Sequence, residues 1–543
     1  MKYFGWLVAV ALGASVLLPS CLSYDDDDGP SPYEQAERDS LQAIQDSILQ
    51  AEQDSLARLD SLEQVRLDSL ALVAQDSLLT VVFDTLANGT IVVHRDTAGL
   101  VLSRVVFSPT FTYLMDGYVT VNENDTLHIM PGTVIRFKPG AGLLVQRLGR
   151  LEAGGTQALP IVFTAEADID LASDNDLPGE LRDHRGLWRG IVWCGNAPVL
   201  GSSEPHHDWV TSNHEYGGPD ATHDAGYMHY CSIRHAGANN SSGLVLAGLG
   251  SGTSIHHLEV VWSRGNAVVV AGGSVPLSHF AVGYPSHNAF TFRDSYRGAA
   301  QFLFSLLKEG GQSALQVYTH ASIPSATPSS PIVYNATFIG EHHASFGTAI
   351  SNVGTHHYWG GAGQVHKSLL LNFKQAHEVQ HSTTGRPSSF ATLDGGWGTN
   401  RMGFRANHYG IIGGADRIIL GRFNQPDFEE VTDPDRVDSL ELALVVHSEP
   451  GNYYNANTET YAFQRYFWRP SLQNAGSPTP LVEAGTDEYA IRPRPTGPAA
   501  SNSAPVVISV PGITATAYAG AFAPSGPLWT DGWTYLYQTG KVR

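Results

Sequence analysis

GLVLAG at Gly243–Gly248, NAVVVAG at Asn266–Gly272, NAFTFRD at Asn288–Asp294 and SALQVYT at Ser313–Thr319 repeat one phrase, with starts 23, 22 and 25 residues apart. A second series runs half a period out of phase: TSIHHLEV from Thr253, SVPLSHFAV from Ser274 and AAQFLFSLL from Ala299. Each unit holds two or three short runs of alternating apolar residues joined by Gly, Ser and Asn, which is strand-and-turn chemistry. No helix-length segment separates the runs, so a βαβ sheet is excluded. A period of 20 to 25 residues with several strands predicts a parallel β-helix, whose coils stack about 4.8 Å apart with inward side chains in ladders. Val245, Val268, Phe290 and Leu315 are expected in one ladder, and Leu258, Phe280 and Phe304 in another. The pattern resumes at PIVYNATFIG from Pro331 and VHKSLLLNF from Val365, then fades near residue 385.

Outside this body the chain changes character. Residues 1–20 hold Lys2 and an apolar run from Trp6 to Leu18, too short to span a bilayer, which reads as a cleavable export signal. Leu18-Pro19-Ser20-Cys21 resembles the lipobox of bacterial lipoproteins, implying lipidation at Cys21 and attachment to the outer membrane. The acidic tether over 21–32, with Asp25 to Asp28, resembles the surface-export signal of Bacteroidetes lipoproteins, which implies a cell surface facing the medium. Over 33–79, Leu41, Ile48, Leu56, Leu62, Leu70 and Leu78 follow successive Asp-Ser pairs, averaging about 3.7 residues per turn and predicting an α-helical stalk. Its apolar stripe predicts self-association or packing along a partner.

The formal charge is −20, and residues 25–79 hold 14 acidic side chains against three arginines. Such a chain is a poor partner for nucleic acid and for polyuronates. Lysine is sparse in the body.

TLHIMPGTVIRF, LLVQRLGRLEAGGTQALPIVFT and GLWRGIVWCGNAP, within residues 118–198, resemble the opening coils of a right-handed β-helix family of Bacteroidetes outer-membrane lipoproteins. Arg189 stands where that family usually has Gly. YAGAFAPSGPLWTDGWTYL, from Tyr518, resembles its closing segment. The resemblance implies an all-β, right-handed parallel β-helix over 80–389 with a C-terminal cap and accessory region over 390–543. It implies no settled biochemical role, though lipoproteins of this kind also serve outer-membrane transporters.

Candidate chemistry is thin. Polygalacturonase-type motifs are absent after the tether, and a lyase would need clustered acids for calcium plus a basic residue beside the substrate carboxylate. The segment 204–235 is dense in imidazole and carboxylate, so His206, His207, Asp208, His214 and His223 are candidate metal ligands, although they show no fixed ligand spacing. Otherwise they form a polar loop. The pairs His256-His257, His342-His343 and His356-His357 are weaker candidates, since adjacent strand residues point to opposite sides. Tyr466, Trp468, Trp529 and Trp533 are candidate glycan-stacking rings, or else pack a cap. Cys194 and Cys231 either form a disulfide or lie buried as free thiols. No cofactor is called for. The expected function is non-catalytic binding or adhesion, to glycan or beside a transporter; the alternatives are a polysaccharide-acting enzyme and a structural envelope component.

Overall fold

The computed structural model describes most of residues 104–410, short stretches within 83–94, 419–423, 453–455 and 491–502, and residues 510–542; the segments 170–184, 200–214, 308–310, 320–327, 341–352 and 382–401 lie outside it. The described residues belong to one compact unit, Leu72–Arg543. Cys21, the acidic tether and the proposed stalk lie outside them.

The body is a parallel β-helix of three faces. Ten strands form one continuous sheet, here sheet III, including Gly142–Val145, Ile191–Cys194, Leu244–Ala247, Val268–Ala271, Phe290–Arg293, Ser313–Tyr318, Val353–Tyr358 and Gln375–His381. The other hydrogen-bonded sheet has 19 strands. It bends within strands such as Gly226–Arg234, Ser254–Val261, Leu277–Gly283 and Ala299–Leu306, so their first halves make sheet I and their second halves sheet II.

The bend falls at one backbone position in successive coils. Tyr230, His257, His279, Phe302, Asn335, Lys367 and Ala406 all have φ between 47° and 59°. Non-glycine residues adopt this left-handed region at a cost of about 1–2 kcal/mol. Asn335, and more weakly His257 and His279, are residue types enriched in that region, but Tyr230, Phe302, Lys367 and Ala406 are not, so the sequence reads as straight strands where the chain turns.

The turn also decides which side chains share a ladder. In sheet III, Leu244 pairs with Val268, Val268 with Phe290 and Phe290 with Leu315. Val245 is therefore not in that ladder; it faces outward beside Val269. In sheet II, Leu258 pairs with Phe280 and Phe280 with Leu303, not Phe304. A one-residue slip exchanges the faces of a strand, and both expected ladders carried one such slip. The true ladders fill a continuous core in which Leu244, Val268, Phe280, Phe290, Leu303 and Leu315 have no exposure.

Winding continues past the expected boundary at 389. Gly403–Arg405, His408–Gly410, Ile419–Phe423 and Tyr453–Asn455 each pair in parallel with an earlier coil. The 22-residue beat is lost there because the spacing between successive strands lengthens, not because the strands stop.

The described C-terminal residues form no lid over an end. They lie along sheet II as a strap, touching coils from Ala406 back to Gln157. Asn502 Nδ2 donates to the Ala406 carbonyl (2.8 Å), Lys367 Nζ to the Thr516 carbonyl (2.7 Å), Asn335 Nδ2 to the Tyr518 carbonyl (2.9 Å) and Gln157 Nε2 to the Asp531 carbonyl (2.9 Å). Beneath it, outward-facing Val261, Ala281, Phe304, Leu306, Ile339, Leu369 and Leu371 pack with Ala521, Phe522, Tyr535 and Leu536. An apolar sheet face of this extent requires cover, and the strap supplies it.

One polar group sits under the strap. The Glu259 carboxylate, fully buried, accepts from Tyr535 N (2.7 Å), Leu536 N (3.0 Å) and Ser232 Oγ (2.6 Å). Arg234, equally buried, donates through Nε to Ser232 Oγ (2.8 Å) and lies 5.0 Å over the Tyr535 ring.

Candidate functional site

The outer face of sheet III changes composition along the winding. In the early coils its outward residues are apolar: Leu144, Val192, Cys194, Val245, Ala247, Val269 and Ala271, with Tyr216 packed on them. From Phe290–Arg293 onward the same rows carry Thr291 and Arg293, Gln316 and Tyr318, His356 and Tyr358, then Glu378. Alternation sends Leu315 and Val317 into the core and their neighbours out.

These outward residues form one connected ladder. Arg293 Nη1 donates to Tyr318 Oη (3.0 Å), and its Nε lies 3.4 Å from Asp294 Oδ2. The Tyr318 and Tyr358 rings stack at 4.8 Å, His356 stacks on Tyr358 at 4.8 Å, and Trp359 meets Tyr358 edge-on at 4.9 Å. His356 Nε2 lies 3.4 Å from Glu378 Oε1. Burial, first, and the neighbouring Tyr318 hold the Tyr358 phenol protonated well above its ordinary range. Asp294 and Glu378 are buried, whereas Tyr318, His356, Tyr358 and Trp359 remain partly exposed. The face thus offers ring surfaces and fixed polar groups along the axis. Of these residues the sequence singles out only His356, as a weaker metal candidate; the outward row as a whole follows from the true register.

The predicted site residues fare differently. His206, His207, Asp208 and His214 lie outside the described residues, as do Tyr466 and Trp468. His223 is half-buried, and its Nδ1 accepts from Asn196 N (3.2 Å), which fixes the adjacent loop. Trp533 is fully buried and donates to the Trp529 carbonyl (2.7 Å), so it presents no ring to a sugar. Trp529 stacks flat on Phe522 (5.2 Å, 7°) and donates to the Ala521 carbonyl, holding the strap together.

Cys194 and Cys231 are free thiols. Cys231 faces the core beside Leu258, whereas Cys194 faces outward among Val245 and Ala247, so the coil wall separates them and the disulfide expectation is corrected. Burial pushes the Cys194 thiol up to about 12 and raises Cys231 as well.

His256 and His257 do not point to opposite sides. The left-handed corner at His257 turns both rings outward, with their Nδ1 atoms 3.1 Å apart. His356 and His357 do follow strand alternation: His356 is partly exposed and His357 wholly buried. Among the described residues, no three His, Cys, Asp or Glu side chains converge as a metal site.

No curated protein and no solved structure matches the chain. One family model does, described as a pectate-lyase-like beta helix domain, over residues 99–396. That span is more than half of the chain and lies within the three-faced winding, whose parallel strands run on to Tyr453–Asn455. The chain belongs to the pectate-lyase-like β-helix domain family.

Proposed function

We propose that the chain is a lipid-anchored surface protein whose β-helix binds a neutral glycan along the outer face of sheet III without turning it over. The ladder of Tyr318, Tyr358, His356 and Trp359 flanked by Arg293–Asp294 and Glu378 carries this reading. Aromatic surface bordered by fixed polar groups suits a sugar chain, whose rings have apolar faces and hydroxyl edges. The net charge of −20 disfavours an acidic polymer, and the ladder itself balances basic against acidic groups. Spacing favours binding over hydrolysis. Asp294 follows Phe290–Arg293 and Glu378 lies three strands further on, roughly 14 Å along the axis at ~4.8 Å per strand. Carboxylate pairs that hydrolyse glycosides stand about 5–10 Å apart.

Attachment at Cys21, exposure to the medium and service to an outer-membrane transporter form the cellular part of this proposal, supported by the lipobox-like and acidic stretches. Glycan-array screening followed by titration calorimetry tests the binding. Tyr358→Ala and Trp359→Ala should each weaken a neutral glycan about tenfold with no product released. A liberated reducing or unsaturated end would favour the enzymatic alternative, and full affinity in both variants would remove the site from sheet III.

A further inference from the structure

The outer side of the sheet I–sheet II corner carries a second feature, independent of the ladder on sheet III. His229 and His256 stack face to face at 3.7 Å and 8°, and His257 and His279 stack at 4.3 Å and 8°. Tyr230 covers the other face of His257 at 4.4 Å. The His256 and His257 rings stand 88° apart and meet through their Nδ1 atoms at 3.1 Å. Both faces of His257 and one face of His256 are thus occupied, which leaves the nitrogen edges as the polar part of the pair.

We propose that His256 and His257 form a two-imidazole site for a transition-metal cation of the zinc or copper class. Two nitrogens at a typical metal–nitrogen distance of about 2.05 Å, separated by the observed gap, subtend about 98° at the ion, between square-planar and tetrahedral geometry. The imidazoles that flank the pair are held in place. His229 Nε2 is 2.9 Å from Ser254 Oγ, and His279 Nδ1 is 2.6 Å from Ser278 Oγ. Burial first, then neighbouring imidazoles, lowers His257 to about 3, and burial alone lowers His256, so both rings are neutral at physiological pH, the form that ligates metal. Without metal, one Nδ1–H is shared between the two rings. On binding, that proton moves to Nε2 of its own ring and none is released. Water or an external donor completes the coordination shell.

Zn2+ titration of the full chain by calorimetry, with Cu2+ electron paramagnetic resonance as a second readout, tests the site. One ion per chain and coupling to two nitrogens are expected. His256→Gln and His257→Asn, the latter retaining a residue that accepts left-handed backbone, should each weaken uptake about tenfold or more. A triple His206→Ala/His207→Ala/His214→Ala variant should bind like the parent. Absence of stoichiometric uptake, unchanged affinity in both single variants, or loss in the triple variant would overturn the proposal. Should His257→Asn fail to fold, His256→Gln decides alone, since His256 lies on ordinary strand backbone.

Discussion

Replacing Glu259 with Gln probes how the strap is fastened. One carboxylate oxygen accepts from Leu536 N, and the other accepts from both Tyr535 N and Ser232 Oγ. A Gln amide keeps one acceptor and turns an NH2 toward a donor, stranding at least one buried donor at about 1–3 kcal/mol. Arg234 also loses one of the two buried carboxylates that stabilise its charge, Asp168 being the other, so this loss falls short of the about 3–5 kcal/mol for breaking a buried pair outright. The losses overlap, so about 2–4 kcal/mol overall is expected. Urea unfolding measures it, while hydrogen exchange at the Tyr535 and Leu536 amides localises it to the strap. Exchanging both charges, as Glu259→Leu with Arg234→Met, should cost less than the sum of the single changes. A loss below about 1 kcal/mol in Glu259→Gln, with strap amides still protected, would refute the reasoning.

Acidification should weaken the fold. His357 and His366 are fully buried and depressed to about 3, chiefly by burial, while in the unfolded chain each titrates near 6.5. Their stabilising contribution is complete above about pH 6.5 and is lost as pH falls toward 3, at up to about 1.4 kcal/mol per pH unit per histidine. Unfolding curves between pH 7.5 and 4.5 should therefore be flat and then steepen, and His357→Phe should shallow the slope. Leu303→Ala should cost about 2–5 kcal/mol by opening a core cavity, measured by urea unfolding. Phe304→Ala should cost about as much and also speed exchange in the strap, since Phe522 packs on Phe304 at 5.2 Å. With Cys21 replaced, Ellman's reagent should find no reactive thiol in the native chain and two after unfolding, because Cys194 and Cys231 are unpaired and buried.

The winding was legible because it is a local property repeated many times. Alternation and turn residues recur with a fixed period from Gly243 to Thr319, and each coil needs only its neighbours to bury its inward side. The ladders were legible only to within one residue. Tyr230, His257, His279 and Phe302 bend the chain in the left-handed region without glycine, and only the two histidines belong to a type enriched there. Past residue 389 the wider spacing of the strands hid the period, although those strands pair in parallel like the rest.

Composition and periodicity alone thus determined a parallel β-helix with an acidic, sparsely basic exterior. Three things were decided only by tertiary structure: which histidines share a corner, which polar residues line the outer face of sheet III, and where the C-terminal segment lies. Each joins side chains from different coils, or residues hundreds of positions apart such as Glu259 and Tyr535. Register depends on inter-strand pairing and corner dihedrals, and docking of the strap on the summed apolar area of many coils. Neither quantity belongs to any single stretch of sequence.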